Sequence, residues 1–104
     1  KSAAPAPVLL TYFEKTRLHD YLALAATLRA GGVGVEVYPD PKKLGAQLKF
    51  ANRRGFRIAL IVGDQEFEQG VCQVKDLQTG SAEDVSLDNG ASAVIAKIKT
   101  LLEA

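Results

Sequence analysis

The run Ile58-Ala59-Leu60-Ile61-Val62 most constrains what this chain can fold into. It is continuously apolar, with no polar alternation that would let one face of a strand meet water. A strand of this kind needs cover on both faces, which is the composition of a central parallel strand sandwiched between helices. The run therefore demands helices on each side of it in sequence, and the chain supplies them.

Upstream, residues 8–13 form a short apolar run. From 17 to 30 a helical period places Leu18, Tyr21, Leu22, Ala25 and Leu28 on one face before Gly31-Gly32 stops it. Val33, Val35 and Val37 alternate up to Tyr38 and predict a second strand ending at Pro39. Asp40-Pro41 then signals a helix start, with aspartate as N-cap and proline in the first helical position, running to about Arg54 with Gly55 as its stop. The order to this point is βαβαβ. It predicts that 58–62 lies between parallel neighbours from 8–13 and 33–38. Two shorter strands follow, over 71–77 and about 84–87, separated by the turn Gln78-Thr79-Gly80, and a last helix covers about 91–102. The expected architecture is α/β: a three-layer α/β/α domain with a mixed sheet of about five strands, βαβαβ followed by a hairpin and a C-terminal helix.

With 104 residues, 47% of them apolar, the chain fits one compact domain burying roughly two-thirds of its unfolded surface. It holds no run of eighteen apolar residues and no charged-then-apolar leader, so the reading is a domain without a membrane span. KSAAPAPV, rich in small residues and proline, reads as a linker over residues 1–7 leading into a domain over 8–104, cut from a longer protein. A single cysteine and a single histidine exclude an intramolecular disulfide and a plausible zinc site, and a reducing cytosol is the default setting. The formal charge of +1 gives no global field of the kind that marks a strongly basic nucleic-acid binder. An anionic ligand must be met by a local patch.

The second predicted helix offers such a patch. At 100° per residue, Leu44, Leu48 and Ala51 fall on one side, while Lys42, Lys49 and Arg53 form a basic stripe on the other. A solvated helix surface is the ordinary explanation of such a stripe, since charged outer faces are the norm. Gly45 costs a helix interior roughly 1 kcal/mol relative to alanine and suggests close approach by another backbone. Other candidates carry less. His19 has no metal-binding or catalytic partner and reads as a surface residue. Cys72 reads as a small core residue. Gly31-Gly32-Val33-Gly34 follows a helix and enters a strand, the reverse of a phosphate loop. No set of residues argues for catalysis by this domain alone.

The stretch LIVGDQEFEQGVCQVKDLQTG, residues 60–80, poses the sharper problem. Packing does not require the acidic GDQE just past the apolar strand, nor Lys75 between Val74 and Asp76. A ligand with matching donors and acceptors would. An exposed ion pair at a hairpin is the plain structural explanation, worth under about 1 kcal/mol.

LRAGGVGVEV, followed by KKLGAQLKFANRRGFRIALIVGDQEFEQGVCQVKDLQTG, resembles the C-terminal anticodon-binding domain of class II aminoacyl-tRNA synthetases, and the likeness covers nearly the whole chain from Val8 onward. Val74-Lys75-Asp76-Leu77 with Thr79-Gly80 is most similar to the histidyl type, whose hairpin reads V-K-D-L-x-[ST]-G; the chain departs from that type at Ser81-Ala82, where Glu-Gln is common. The resemblance implies that the anticodon stem-loop of a tRNA lies against the sheet and its loops. It implies Glu66, from G-[DE]-x-E, and Lys75 as RNA contacts. Lys49 matches a basic position near the same loop, and Lys42 and Arg53 extend the screened attraction. An anticodon is single-stranded, so its bases can be read on their Watson–Crick edges. The resemblance further implies no catalytic activity or cofactor for this segment, a separate catalytic domain using ATP with Mg²⁺, a homodimeric parent and a cytoplasmic setting. A second reading stays open: a regulatory or protein-interaction domain of a synthetase-like paralogue, such as the regulatory subunit of ATP phosphoribosyltransferase or a translation-control kinase.

Overall fold

A computed structural model describes residues 6–103. Most of the proposed linker, residues 1–5, lies outside the described residues. In chain order the elements are β1 (Val8–Leu10), a 3₁₀ turn (Lys15–Arg17), α1 (Leu18–Ala30), β2 (Val35–Val37), α2 (Leu44–Arg54), β3 (Ile58–Ile61), α3 (Asp64–Gln69), β4 (Val71–Asp76), β5 (Ala82–Ser86) and α4 (Asp88–Glu103). The five strands form one mixed sheet in the order β2-β1-β3-β4-β5. The α/β class, the mixed sheet, the hairpin and the closing helix agree with the sequence expectation.

The neighbours of the apolar strand do not. β3 is the middle strand, parallel to β1 on one side but antiparallel to β4 on the other. It is β1 that lies between two parallel partners, pairing Leu9 with Glu36 on β2 and with Ala59 on β3. Both crossovers start and end in parallel strands, but a βαβαβ pattern leaves open on which side of β1 the third strand settles. It settles opposite β2, which frees the far edge of β3 for the hairpin.

The main core lies on one face of the sheet. Val8, Leu10, Ile58, Leu60, Cys72, Val74 and Val85 point there, and Tyr21, Leu24, Ala25 and Leu28 of α1 and Val94 and Ile98 of α4 cover them. Each large side chain of this set contributes roughly 1.5–3 kcal/mol relative to exposure. α1 is rotated from the predicted face: Leu24 is buried, whereas Leu18 and Leu22 are 42% and 51% exposed. α4 opens with a left-handed turn at Asn89, Gly90 and Ala91, so its right-handed run starts close to the predicted position.

The opposite face is covered over only part of its width. There Ala51 of α2 and Phe56 pack on Leu9, with Tyr38, Phe50 and Leu77 at the margin. α2 is shorter than predicted. Asp40-Pro41 does not start it, because Lys43 is extended (ψ 141°) and the first helical residue is Leu44. Its buried side is Gln47 and Ala51, with Leu44 and Leu48 only half-buried. Gln47 is fully buried and fully paired: Oε1 accepts from the Tyr12 N–H at 2.8 Å, and Nε2 donates to the carbonyls of Tyr12 at 2.6 Å and Lys42 at 2.8 Å. The helix is thus latched to the end of β1 by a polar side chain, and the Lys42 carbonyl is held outside the helical ladder. At the other end Gly55 takes φ +84°, letting its N–H and that of Phe56 return to the Ala51 carbonyl.

Candidate functional site

Strand alternation decides which groups face the partly covered side of the sheet. Cys72 and Val74 of β4 point into the main core, so Val71, Gln73 and Lys75 point the other way and are half-buried. Register extends this into rows. Leu9, Ala59, Lys75 and Ala82 stand side by side across β1, β3, β4 and β5, and Ile61, Gln73 and Asp84 form the next row. Because α2 packs on Leu9, Lys75 is on the same side of the sheet as α2 but beyond its cover.

The GDQE segment caps and opens α3, and this changes the reading of its carboxylates. Glu66 Oε1 accepts the Gly63 N–H at 2.8 Å, satisfying one of the donors left free at the helix start. A Cβ on residue 63 would lie 2.6 Å from that oxygen, so in this rotamer the carboxylate sits where a side chain at the N-cap would make it shift. Asp64 and Glu68 are both bound by Arg17, which also holds Asp20 and lies 5.5 Å from the centre of the Phe67 ring. These carboxylates raise the Arg17 pKa above its ordinary value. The acidic cluster is therefore partly structural: it caps α3 and ties it to the start of α1. Glu66 differs from Asp64 and Glu68 in that no cation holds it among the described residues: one oxygen caps the helix and the second accepts no hydrogen bond.

Glu66 also lines a pocket of about 240 Å³ with Ile61, Gln69, Val71, Gln73 and Asp84. Lys75 stands two residues along β4 from Gln73, on the same face. Among the described residues neither Lys75 nor Lys49, Lys42 or Arg53 forms an ion pair within 4.0 Å, so these cations are available to a ligand. Lys49 and Arg53 are exposed and one helical turn apart on α2. Lys42 is exposed too but precedes α2, so the predicted three-residue helical stripe reduces to two. Gly45 meets nothing within 4 Å at its Cβ position, so the expected close approach of another backbone is absent among the described residues.

The rest of the hairpin motif is turn chemistry. Asp76, 4% exposed, accepts from the Arg57 guanidinium at 3.3 and 3.4 Å and from the Gln78 N–H at 2.9 Å. The Arg57 contact holds its carboxyl below the usual aspartate range. Thr79 Oγ1 accepts the Ser81 N–H at 3.2 Å. Of the V-K-D-L-x-T-G residues, the lysine is the one not absorbed by the fold. Sequence reading missed Gln73, Asp84 and Gln69, although the alternation of the two hairpin strands would have placed the first two on Lys75's face. His19 is exposed on α1, and Cys72 is buried, with its thiol pushed up to about 12. No described group of three or more His, Cys, Asp or Glu residues is placed to hold a metal ion, and no described helix is long and apolar enough to cross a membrane.

Comparison with known proteins places this geometry in context. A family model described as an anticodon binding domain matches residues 8–97. The chain is 51% identical over 82 residues to the histidine–tRNA ligase of Rhodopirellula baltica, covering 79% of this chain and 19% of that one. It is 43% identical over 95 residues to the histidine–tRNA ligase of Dinoroseobacter shibae, covering 88% and 19%. Among solved structures it superposes on histidyl-tRNA synthetase from Nostoc sp. PCC 7120 with a TM-score of 0.87 and 28% identity, covering 95% of this chain and 23% of that one. Prolyl-tRNA synthetase from Cryptosporidium parvum gives a TM-score of 0.79 at 13% identity, over 95% of this chain and 23% of that one, a likeness of fold alone. The chain spans about a fifth of the length of the curated relatives it matches. A sheet open on one half, a hairpin lysine left unpaired and a match over residues 8–97 agree on one conclusion: the chain belongs to the anticodon binding domain family.

Proposed function

We propose that this chain is the anticodon-recognition domain of a histidine–tRNA ligase, holding tRNA by its anticodon stem-loop. The observation that carries the reading is the open half of the sheet, where a half-free Glu66 carboxylate lines a pocket suited to a splayed base and the unpaired Lys75 stands two residues along β4 from Gln73 of that pocket. Glu66 accepts from base N–H groups, and Lys75 donates to a base carbonyl or a phosphate. Lys49, Arg53 and Lys42 add attraction that salt screens. Similarity to histidine–tRNA ligases supports this reading over a regulatory domain in a paralogue.

In the parent protein a separate catalytic domain would use ATP with Mg²⁺ and histidine; the site residues of this chain bind and orient RNA only. A homodimeric parent and a cytoplasmic location belong to the same proposal. The test is binding of this chain to a panel of anticodon stem-loops at two salt concentrations. A preference for one anticodon that persists at the higher salt supports the reading. Equal affinity for all loops would overturn it.

A further inference from the structure

The pocket beside Glu66 contains groups that the motif comparison leaves without a role. It is lined by the apolar Ile61 and Val71, and the polar groups around it are Glu66 and Gln69 of α3 and Gln73 and Asp84 of the hairpin. Gln73 and Asp84 are cross-strand partners, and Ile61 continues the same row, so three of these positions are set by sheet register rather than by a loop. At about 240 Å³ the pocket is smaller than the roughly 300–1,000 Å³ of sites for drug-sized ligands. Its scale suits one planar ring system touching Ile61 and Val71 with its polar edge toward the polar side chains.

These side chains select among bases by donor and acceptor pattern. Glu66 and Asp84 are acceptors when ionised, approaching from α3 and from β5. Among the described residues Asp84 makes no ion pair or side-chain hydrogen bond within the chain, so its acceptor capacity is unspent. A base that satisfies two carboxylates must offer adjacent N–H donors. Guanine does so with N1–H and the 2-amino group, while a lining glutamine can donate to O6. Adenine, cytosine and uracil each put at least one acceptor where a carboxylate stands.

Resting on the anticodon-binding reading above, we infer that Asp84 is a specificity-determining residue that, with Glu66, selects an unstacked guanine in this pocket, and that Gln73, between Ile61 and Asp84 in the row, orients the base. Lys75, two residues along the strand, then faces the adjoining phosphate or base.

Asp84 is exposed, so Asp84→Asn should leave the fold intact. The variant keeps the size of the side chain but replaces one acceptor by a donor. Binding is measured with anticodon stem-loops carrying guanine, inosine or adenine at each anticodon position in turn. Inosine retains N1–H and lacks only the 2-amino group. For the unmodified chain, inosine at one position should weaken binding by about fivefold to a hundredfold. In Asp84→Asn that penalty should shrink to near unity, and the guanine loop itself should bind less tightly. Simple charge predicts the reverse, since removing a negative group from an RNA surface tightens binding to every loop. A guanine-over-inosine penalty undiminished by Asp84→Asn, or uniform tightening, overturns this inference while leaving anticodon recognition standing. Indifference of the unmodified chain to every anticodon change overturns both.

Discussion

Replacing Gln47 by methionine should destabilise the domain far more than a change on the surface of a helix, although the new side chain has similar length and flexibility. Gln47 is 0% exposed and serves three backbone groups. In Gln47→Met the Tyr12 N–H and carbonyl lose their partners inside the protein, where Tyr12 is 6% exposed; the Lys42 carbonyl, on an exposed residue, can turn to water. Each orphaned buried group costs about 1–3 kcal/mol, giving a gross loss of about 2–6 kcal/mol. Burying a thioether instead of an amide returns part of this, roughly 1–2 kcal/mol on transfer scales. At the middle of both ranges the expected net loss is about 2.5 kcal/mol, a large share of the roughly 5–15 kcal/mol typical of a domain. With a urea dependence of about 1–3 kcal/mol per molar, the unfolding midpoint should fall by on the order of 1–3 M. Amide exchange at Tyr12 should accelerate alongside it. A midpoint unchanged within error would refute the claim that α2 is latched by this side chain, and with it the account of how Lys49 and Arg53 are held in place.

Further outcomes follow from the same geometry. Gly63→Ala replaces a favoured N-cap residue by a poor one and makes the Glu66 carboxylate shift, so it should lower stability by about 0.5–1 kcal/mol in urea titrations; an unchanged unfolding midpoint would contradict the role of residue 63 as the N-cap of α3. Asp76 has a folded-state pKa below its ordinary 3.8, so its stabilising contribution is complete above that value and lost as pH falls through the lower folded value. The unfolding midpoint should therefore drop on acidification below about pH 4, and Asp76→Asn should remove part of that slope. The Cys72 thiol, buried and pushed up to about 12, should resist alkylation at pH 8 in the native state and react readily in urea; fast native-state reaction would contradict its burial.

What the sequence disclosed and what it hid divide along physical lines. Ile58 to Ile61 was legible because continuous apolarity has one structural use, and Gly55 and Gly31-Gly32 were legible as helix stops because few residues serve there. The position of β3 between parallel β1 and antiparallel β4 was not, since crossover length does not reveal which side of a strand the chain returns to. Leu18 and Leu22 scanned as core because a helical period defines a stripe without fixing its centre, and the docked helix buries Leu24 instead. Gln47 was invisible because a polar residue reads as surface until its three backbone partners are seen. For the site, Glu66 and Lys75 were proposed through a motif. The structure adds that Glu66 is also a helix cap, that Asp64 and Glu68 are held by Arg17, and that Lys42 lies outside the helix.

The central claim, that a carboxylate on α3 reads a base while cations on α2 only attract the backbone, is tested most directly by comparing Glu66→Gln with Lys49→Ala. Glu66→Gln retains an oxygen for the Gly63 N–H and so keeps the cap. It should cost on the order of 1–3 kcal/mol for the preferred anticodon loop and much less for a loop altered at the base it reads. Lys49→Ala should weaken all loops about equally and flatten the log–log salt dependence by roughly 0.7. If Glu66→Gln instead tightens binding to every loop alike, the carboxylate only repels RNA and the base-reading account is wrong.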